Sequence, residues 1–106
     1  MYDIVIVGAG PAGLTAAVYG RRAQKKVLVL EAYSYGGQII NTQKVENYPG
    51  YESITGFDFA TNLYNQIKEL NTEIIYEKVV EIVNGMDKKI VKTKDNIYEG
   101  KTIIIA

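Results

Sequence analysis

The chain has 106 residues, with twelve lysines and arginines against twelve aspartates and glutamates, and neither histidine nor cysteine. Zero formal net charge with no basic face argues against a nucleic-acid or acidic-membrane partner. The missing cysteine and histidine exclude a disulfide framework, a thiolate nucleophile and a redox pair within these residues, and argue against a zinc or haem site.

No apolar run approaches the roughly 20 residues of a membrane span. The first residues already read as a core strand rather than a leader, so the cytoplasm is the expected location and one small domain the expected organisation. Asp3-Ile4-Val5-Ile6-Val7 is largely β-branched and apolar, as a strand buried on both faces requires. It runs into Gly8-Ala9-Gly10-Pro11-Ala12-Gly13, a G-x-G-x-x-G pattern, and then into helix formers as far as about Ala23. The bare pattern is weak, since at about 7% glycine it recurs by chance in roughly 3% of chains this long. Its context makes it a dinucleotide signature. Gly8 permits a tight turn, Gly10 lets a pyrophosphate approach the backbone, and Gly13 lets the helix pack close to the strand. Pro11 falls in the first helical turn, where its missing N–H costs little. The free N–H groups there face an anion with the helix dipole behind them. Ala17 is small and on the same helix face as Gly13. Lys26 to Leu30 reads as a second buried strand, ending in Glu31. That carboxylate suits ribose hydroxyls and disfavours a 2′-phosphate, so FAD or NAD is favoured over NADP; the competing role is a solvated strand end.

From Ala32 to Thr55 the chain is rich in glycine, tyrosine, asparagine and threonine and shows no period, as a functional loop would. Gly36-Gly37-Gln38 allows close approach to a flat ligand, and Asn47-Tyr48-Pro49-Gly50 is a turn signal. The bland reading is a structured surface loop whose tyrosines pack for area alone. Ser53 or Thr55 caps the next helix, whose Phe59, Leu63, Ile67 and Leu70 recur at helical spacing, a core stripe ending near Asn71. Glu73 to Tyr76 is a short strand. Lys78–Val83 and Lys89–Lys94 flank the turn Asn84-Gly85-Met86-Asp87, and Asp95-Asn96 turns the chain into Ile97-Tyr98-Glu99, giving three short antiparallel strands. Lys101 to Ala106 is a further continuous apolar strand that asks for burial on both faces. A natural terminus is usually polar and frayed, so the expectation is a piece of a longer protein.

Together these segments resemble the N-terminal FAD part of bacterial thioredoxin reductases, within the pyridine nucleotide-disulfide oxidoreductase class, over essentially the whole chain. Ile4 to Leu14 and Glu31 are shared by many two-dinucleotide-domain flavoproteins. Gly36-Gly37-Gln38 followed by Val45-Glu46-Asn47-Tyr48-Pro49-Gly50 is the narrower likeness, and Thr102 to Ala106 is similar to the start of the family's second FAD motif. The resemblance implies an α/β, Rossmann-like FAD-binding domain: a parallel sheet with a three-stranded antiparallel meander, truncated, with residues 1–106 its N-terminal part. It places Gly8, Gly10, Pro11, Ala12 and Gly13 at the FAD pyrophosphate and Glu31 and Ala32 at the adenosine ribose. Gly36, Gly37, Gln38, Thr42 and Asn47 would lie along the ribityl chain and flavin ring, and Val79 would offer its backbone to adenine. No residue here is implied to be catalytic.

In such enzymes a separate domain binds NADPH and carries a Cys-x-x-Cys pair; electrons pass from NADPH through FAD to that pair and on to thioredoxin or a similar small redox protein. The full-length parent is then an oxidoreductase and a homodimer, and this chain alone is expected to be inactive, with weakened FAD affinity and open sheet edges prone to self-association. Two alternatives stay open: a relative with another acceptor, such as ferredoxin or a peroxiredoxin-type partner, and a non-catalytic nucleotide-binding module. The chain departs from the family at Gln24, where glycine is usual at the helix end; a left-handed conformation there would cost up to about 1 kcal/mol.

Overall fold

The computed structural model describes residues 1–106. Its elements are β1 (Tyr2–Val7), α1 (Pro11–Arg22), β2 (Val27–Leu30), a 3₁₀ turn (Gly37–Asn41), α2 (Gly56–Glu69), β3 (Glu73–Ile75), β4 (Val79–Asn84), β5 (Lys89–Thr93) and β6 (Ile97–Ile105). The strands form one six-stranded sheet in the order β3-β2-β1-β6-β5-β4. The pairs β3–β2, β2–β1 and β1–β6 are parallel; β6–β5 and β5–β4 are antiparallel.

Both helices cover one face of the sheet. Leu14 and Ala17 from α1 and Phe59, Leu63 and Ile67 from α2 pack with Ile6, Val27 and Val29. The expected stripe of α2 is therefore its buried face, with Leu70 packed at its margin. Thr55 caps this helix, its side chain accepting from the Asp58 N–H at 3.0 Å, which satisfies one of the donors left free at a helix start. The other face of the sheet holds Val5, Leu28, Leu30 and Val91, enclosed by the meander strands.

That second core follows from chain length. Five inter-strand spacings of about 4.8 Å would put the edges of a flat sheet about 24 Å apart. The connection from β3 to β4 joins these two edges with only Tyr76, Glu77 and Lys78. Four Cα steps span at most about 14 Å, so the sheet must curl over Val5, Leu28, Leu30 and Val91. A register shift between Val79 and Glu81 adds local twist at the start of β4.

Two expectations need correction. Ile97–Glu99 and Lys101–Ala106 are one strand, β6, whose first half pairs with β5 and whose second half pairs with β1. Gly100 does not break it; a Cβ there would stand 2.8 Å from Val5 Cγ2, so the glycine serves a close approach. The end of β6 is also not buried on both faces, since Ile104 and Ile105 are exposed. The pairing with β5 stops at Gly100, which leaves the following residues supported by β1 alone. The segment Ala32–Thr55 is more ordered than its lack of period suggests. It contains the 3₁₀ turn and a two-way bridge, Val45 N–H to Ile54 O at 2.7 Å and Ile54 N–H to Val45 O at 3.1 Å.

Candidate functional site

The parallel strands β1, β2 and β6 end side by side, and the chain leaves β1 into the turn Gly8–Gly10. Gly8 has φ +110°, a conformation that side chains rarely adopt. Its N–H donates to Leu30 O at 2.8 Å, fixing the turn to the end of β2. Gly13 presses α1 onto this turn, because a Cβ on it would lie 1.9 Å from Gly8 O. Gly10 is the opposite case: a Cβ there would meet nothing within 4 Å. The absence of a side chain at Gly10 therefore serves open space, which is what a cradle for an approaching group requires. Gly10 is also the N-cap of α1, and no side chain caps the helix. Ala12 and Gly13 thus carry first-turn N–H groups free to meet an anion, while Pro11 at the helix start loses nothing by having none.

Glu31 is buried directly beneath this turn. One carboxylate oxygen accepts from the Ala9 N–H at 2.7 Å and the other from the Tyr33 N–H at 2.9 Å. Each oxygen keeps a further lone pair for a hydroxyl donor. Together with Gly8, Ala32, Tyr33 and Val79, Glu31 lines a cleft of about 290 Å³. Val79 reaches this cleft only because the sheet curls, since its strand lies at the far edge from β2 in the pairing order.

A second glycine turn stands against the first. Gly36 (φ +90°) and Gly37 (φ +59°) open the 3₁₀ turn, and the Gly36 N–H donates to Ala9 O at 2.6 Å. A Cβ on Gly37 would stand 3.5 Å from Gly10 Cα, so the two glycine turns face each other closely. Beyond them Pro11, Ala12, Ile39, Asn47, Tyr48 and Phe59 line a mostly apolar cleft of about 390 Å³. Eleven of the thirteen residues named from the sequence fall into three groups. Gly8, Glu31, Ala32 and Val79 share the first cleft, Pro11, Ala12 and Asn47 share the second, and Gly10, Gly13, Gly36 and Gly37 form the turns between. Gln38 and Thr42 are exposed and line neither cleft; Thr42 instead accepts from the Gly56 N–H at 2.6 Å through its carbonyl.

Sequence reasoning missed Gly56 and Tyr35. A Cβ on Gly56 would lie 1.6 Å from Ile39 O, so the start of α2 butts against the 3₁₀ turn. Tyr35 stacks on Tyr64 with ring centroids 4.2 Å apart and 17° between planes. The glycine just after a capping threonine was a legible hint of the first; nothing local pairs Tyr35 with Tyr64.

The model of the pyridine nucleotide-disulphide oxidoreductase family matches residues 2–106. The chain belongs to this family. It is similar to thioredoxin reductase of Bacillus subtilis strain 168, 42% identical over 106 residues, which is all of this chain and 34% of that protein. Among solved structures it is similar to Lactococcus lactis thioredoxin reductase, with a TM-score of 0.95 and 43% identity over 99% of this chain and 35% of that one. It is also similar to a ferredoxin-flavin thioredoxin reductase from Clostridium acetobutylicum, with a TM-score of 0.89 and 32% identity over 98% of this chain and 36% of that one. The chain spans about a third of the length of the relatives it matches. Its mixed, Rossmann-like sheet with two helices on one face is the architecture of this part of the family. No helix is long and apolar enough to cross a membrane.

Proposed function

We propose that residues 1–106 are the FAD-binding portion of a thioredoxin-reductase-like flavoenzyme. The observation that carries this reading is the meeting of two glycine turns, Gly8–Gly13 and Gly36–Gln38, between an uncapped helix start and the buried Glu31 carboxylate. Gly10, Pro11, Ala12 and Gly13 hold the pyrophosphate, whose charge the first-turn N–H groups and the helix dipole offset. Glu31 and Ala32 hold the adenosine ribose, and the Val79 backbone meets adenine. Gly36, Gly37, Gln38, Thr42 and Asn47 lie on the ribityl and flavin side. FAD, when bound, supplies the capacity to take up a hydride and release electrons singly or in pairs. This chain's own residues bind and orient it, and none transfers a proton or electron.

The whole protein passes electrons from NADPH to a cysteine pair and on to thioredoxin or a similar small redox protein, as a homodimer in the cytoplasm. These residues contain no cysteine, so that pair belongs to other parts of the protein. Several relatives named simply thioredoxin reductase stand at 42 to 47% identity, above the 32% of the ferredoxin-flavin type, so a ferredoxin-type partner is the less favoured reading.

The test uses the polypeptide encoded by the whole gene. It should purify yellow, with flavin absorbance released on denaturation. Gly10→Val should fold, since its side chain enters open space, yet lose the flavin; Gln38→Ala should lower flavin content. If both variants keep the wild-type flavin-to-protein ratio, the site assignment is wrong.

A further inference from the structure

We propose that Tyr35 is a positioning residue for the flavin side of the site, clamping the Gly36-Gly37-Gln38 turn onto α2 through its ring stack with Tyr64. This rests on the FAD reading above. The turn has little rigidity of its own, because two adjacent glycines in left-handed conformations have the most backbone freedom to lose. Ser34, Gly37 and Gln38 are exposed. One backbone bond, Gly36 N–H to Ala9 O, ties the turn to the first glycine loop. The other support is α2. A Cβ on Gly36 would stand 2.7 Å from Ala60 Cβ, so the turn lies directly on that helix.

Tyr35, the residue before the turn, seats on the same stretch of α2. Its ring lies 4.2 Å from that of Tyr64, nearly parallel, and its hydroxyl is 3.1 Å from Thr61 Oγ1. Ala60 and Thr61 precede Tyr64 by four and three residues, the spacings that bring side chains together on a helix. Lys68, a turn further on, places its Nζ 5.4 Å from the Tyr64 ring centroid, which braces the ring by a cation–π contact. Tyr76 adjoins the same group; burial first, and then Tyr64, Glu31 and Tyr35, push its phenol up to about 12. A turn held in its binding shape before the ligand arrives avoids an ordering cost on binding, so the clamp acts on affinity for the part of the ligand that touches the turn.

The experiment titrates flavin-free protein, made from the whole gene, with FAD and separately with ADP, which carries the pyrophosphate and adenosine but no ribityl chain or flavin. Tyr35→Ala should weaken FAD binding roughly three- to tenfold, the worth of one aromatic pair, and leave ADP binding unchanged. Tyr35→Phe, which keeps the stack and loses only the hydroxyl contact, should bind FAD nearly as the wild type does. Tyr64→Leu removes the stack from the helix side and should reproduce the same split, which keeps the test valid if Tyr35→Ala does not fold. Unchanged FAD affinity in Tyr35→Ala and Tyr64→Leu overturns the proposal, as does an equal loss for FAD and ADP, which would mark a general loss of structure. Wild-type protein that binds ADP but not FAD overturns the FAD reading itself, and this proposal with it.

Discussion

Gln24 and Asn71 are the two residues other than glycine with positive φ, at 61° and 56°. Each follows a helix and makes the same pair of bonds. Gln24 N–H reaches Arg21 O at 2.9 Å and Lys25 N–H reaches Gly20 O at 3.0 Å; Asn71 and Thr72 repeat this onto Lys68 O and Ile67 O. This paired closure satisfies carbonyls left free at a helix end, and it requires the left-handed conformation. Asparagine tolerates that conformation through its short polar side chain, whereas glutamine has no such compensation. Gln24 is exposed, so replacing it removes no buried contact. Gln24→Gly should therefore stabilise the protein by about 1 kcal/mol, and Asn71→Gly by less. A urea unfolding midpoint that falls in Gln24→Gly would contradict this. The left-handed turn after α1 was legible as soon as glutamine was seen in place of the family's glycine, because a helix end is a local matter.

Helix ends also meet each other in this fold. Arg21, in the last turn of α1, donates through Nε to Leu70 O at 2.9 Å and through Nη1 to Lys25 O at 2.8 Å. Leu70 is the C-cap of α2 and Lys25 lies in the turn after α1, so one guanidinium ties the negative end of α2 to the end of α1. Removing it leaves two carbonyls without this donor and withdraws a positive charge from both helix ends. Arg21→Ala should cost about 1–2 kcal/mol. Arg21→Lys should recover only part of that, since an ammonium does not present two donors in a fixed fork. Chemical unfolding of the three proteins checks both claims, and equal midpoints for Arg21→Ala and the wild type would show that these two Arg21 bonds do not stabilise the fold. The amphipathic stripe of α2 and its cap were legible from spacing. The partner of Arg21 was not, because it lies on the other helix.

The whole molecule is closed by its curl, and Glu77 holds that closure. It lies in the short connection between the two sheet edges and accepts from Thr93 Oγ1 at 2.8 Å, Tyr98 Oη at 2.9 Å and Asn96 Nδ2 at 2.8 Å. These donors, Thr93 foremost and then Tyr98, hold its carboxyl below the ordinary 4.5. In acid, therefore, the folded state binds fewer protons at this site than the unfolded state does, and stability rises with pH there. The contribution is fully present above the unfolded value of 4.5 and is lost as the pH falls through the lowered folded value. Glu77→Gln should be less stable than the wild type at neutral pH. The gap should shrink as the pH is taken progressively below 4.5, as the wild-type carboxyl takes up its proton. A gap of constant size across that range in urea unfolding would show that the charge is not what closes the meander.

The sequence by itself determined what depends on neighbours a few residues apart. The buried strands, the glycine turn into α1, the acid after β2, the Thr55 cap and the hairpin after β4 all belong to this class, since burial pattern, turn chemistry and capping act over that range. So did most of the candidate site, because a dinucleotide signature is written along one β-turn-α-β segment. The tertiary structure alone decided which distant segments meet. It brought Val79 to the cleft of Glu31, set Tyr35 on Tyr64, pressed Gly56 against Ile39 and carried β6 unbroken through Gly100. Gly100 shows the reason most clearly: read alone, a glycine in a strand marks a bulge or a close approach, and only the fold decides between them, by setting the side chain of Val5 from the neighbouring strand where a Cβ would stand. Such contacts arise from closing the sheet and packing the helices on it, and no local pattern in the chain carries them.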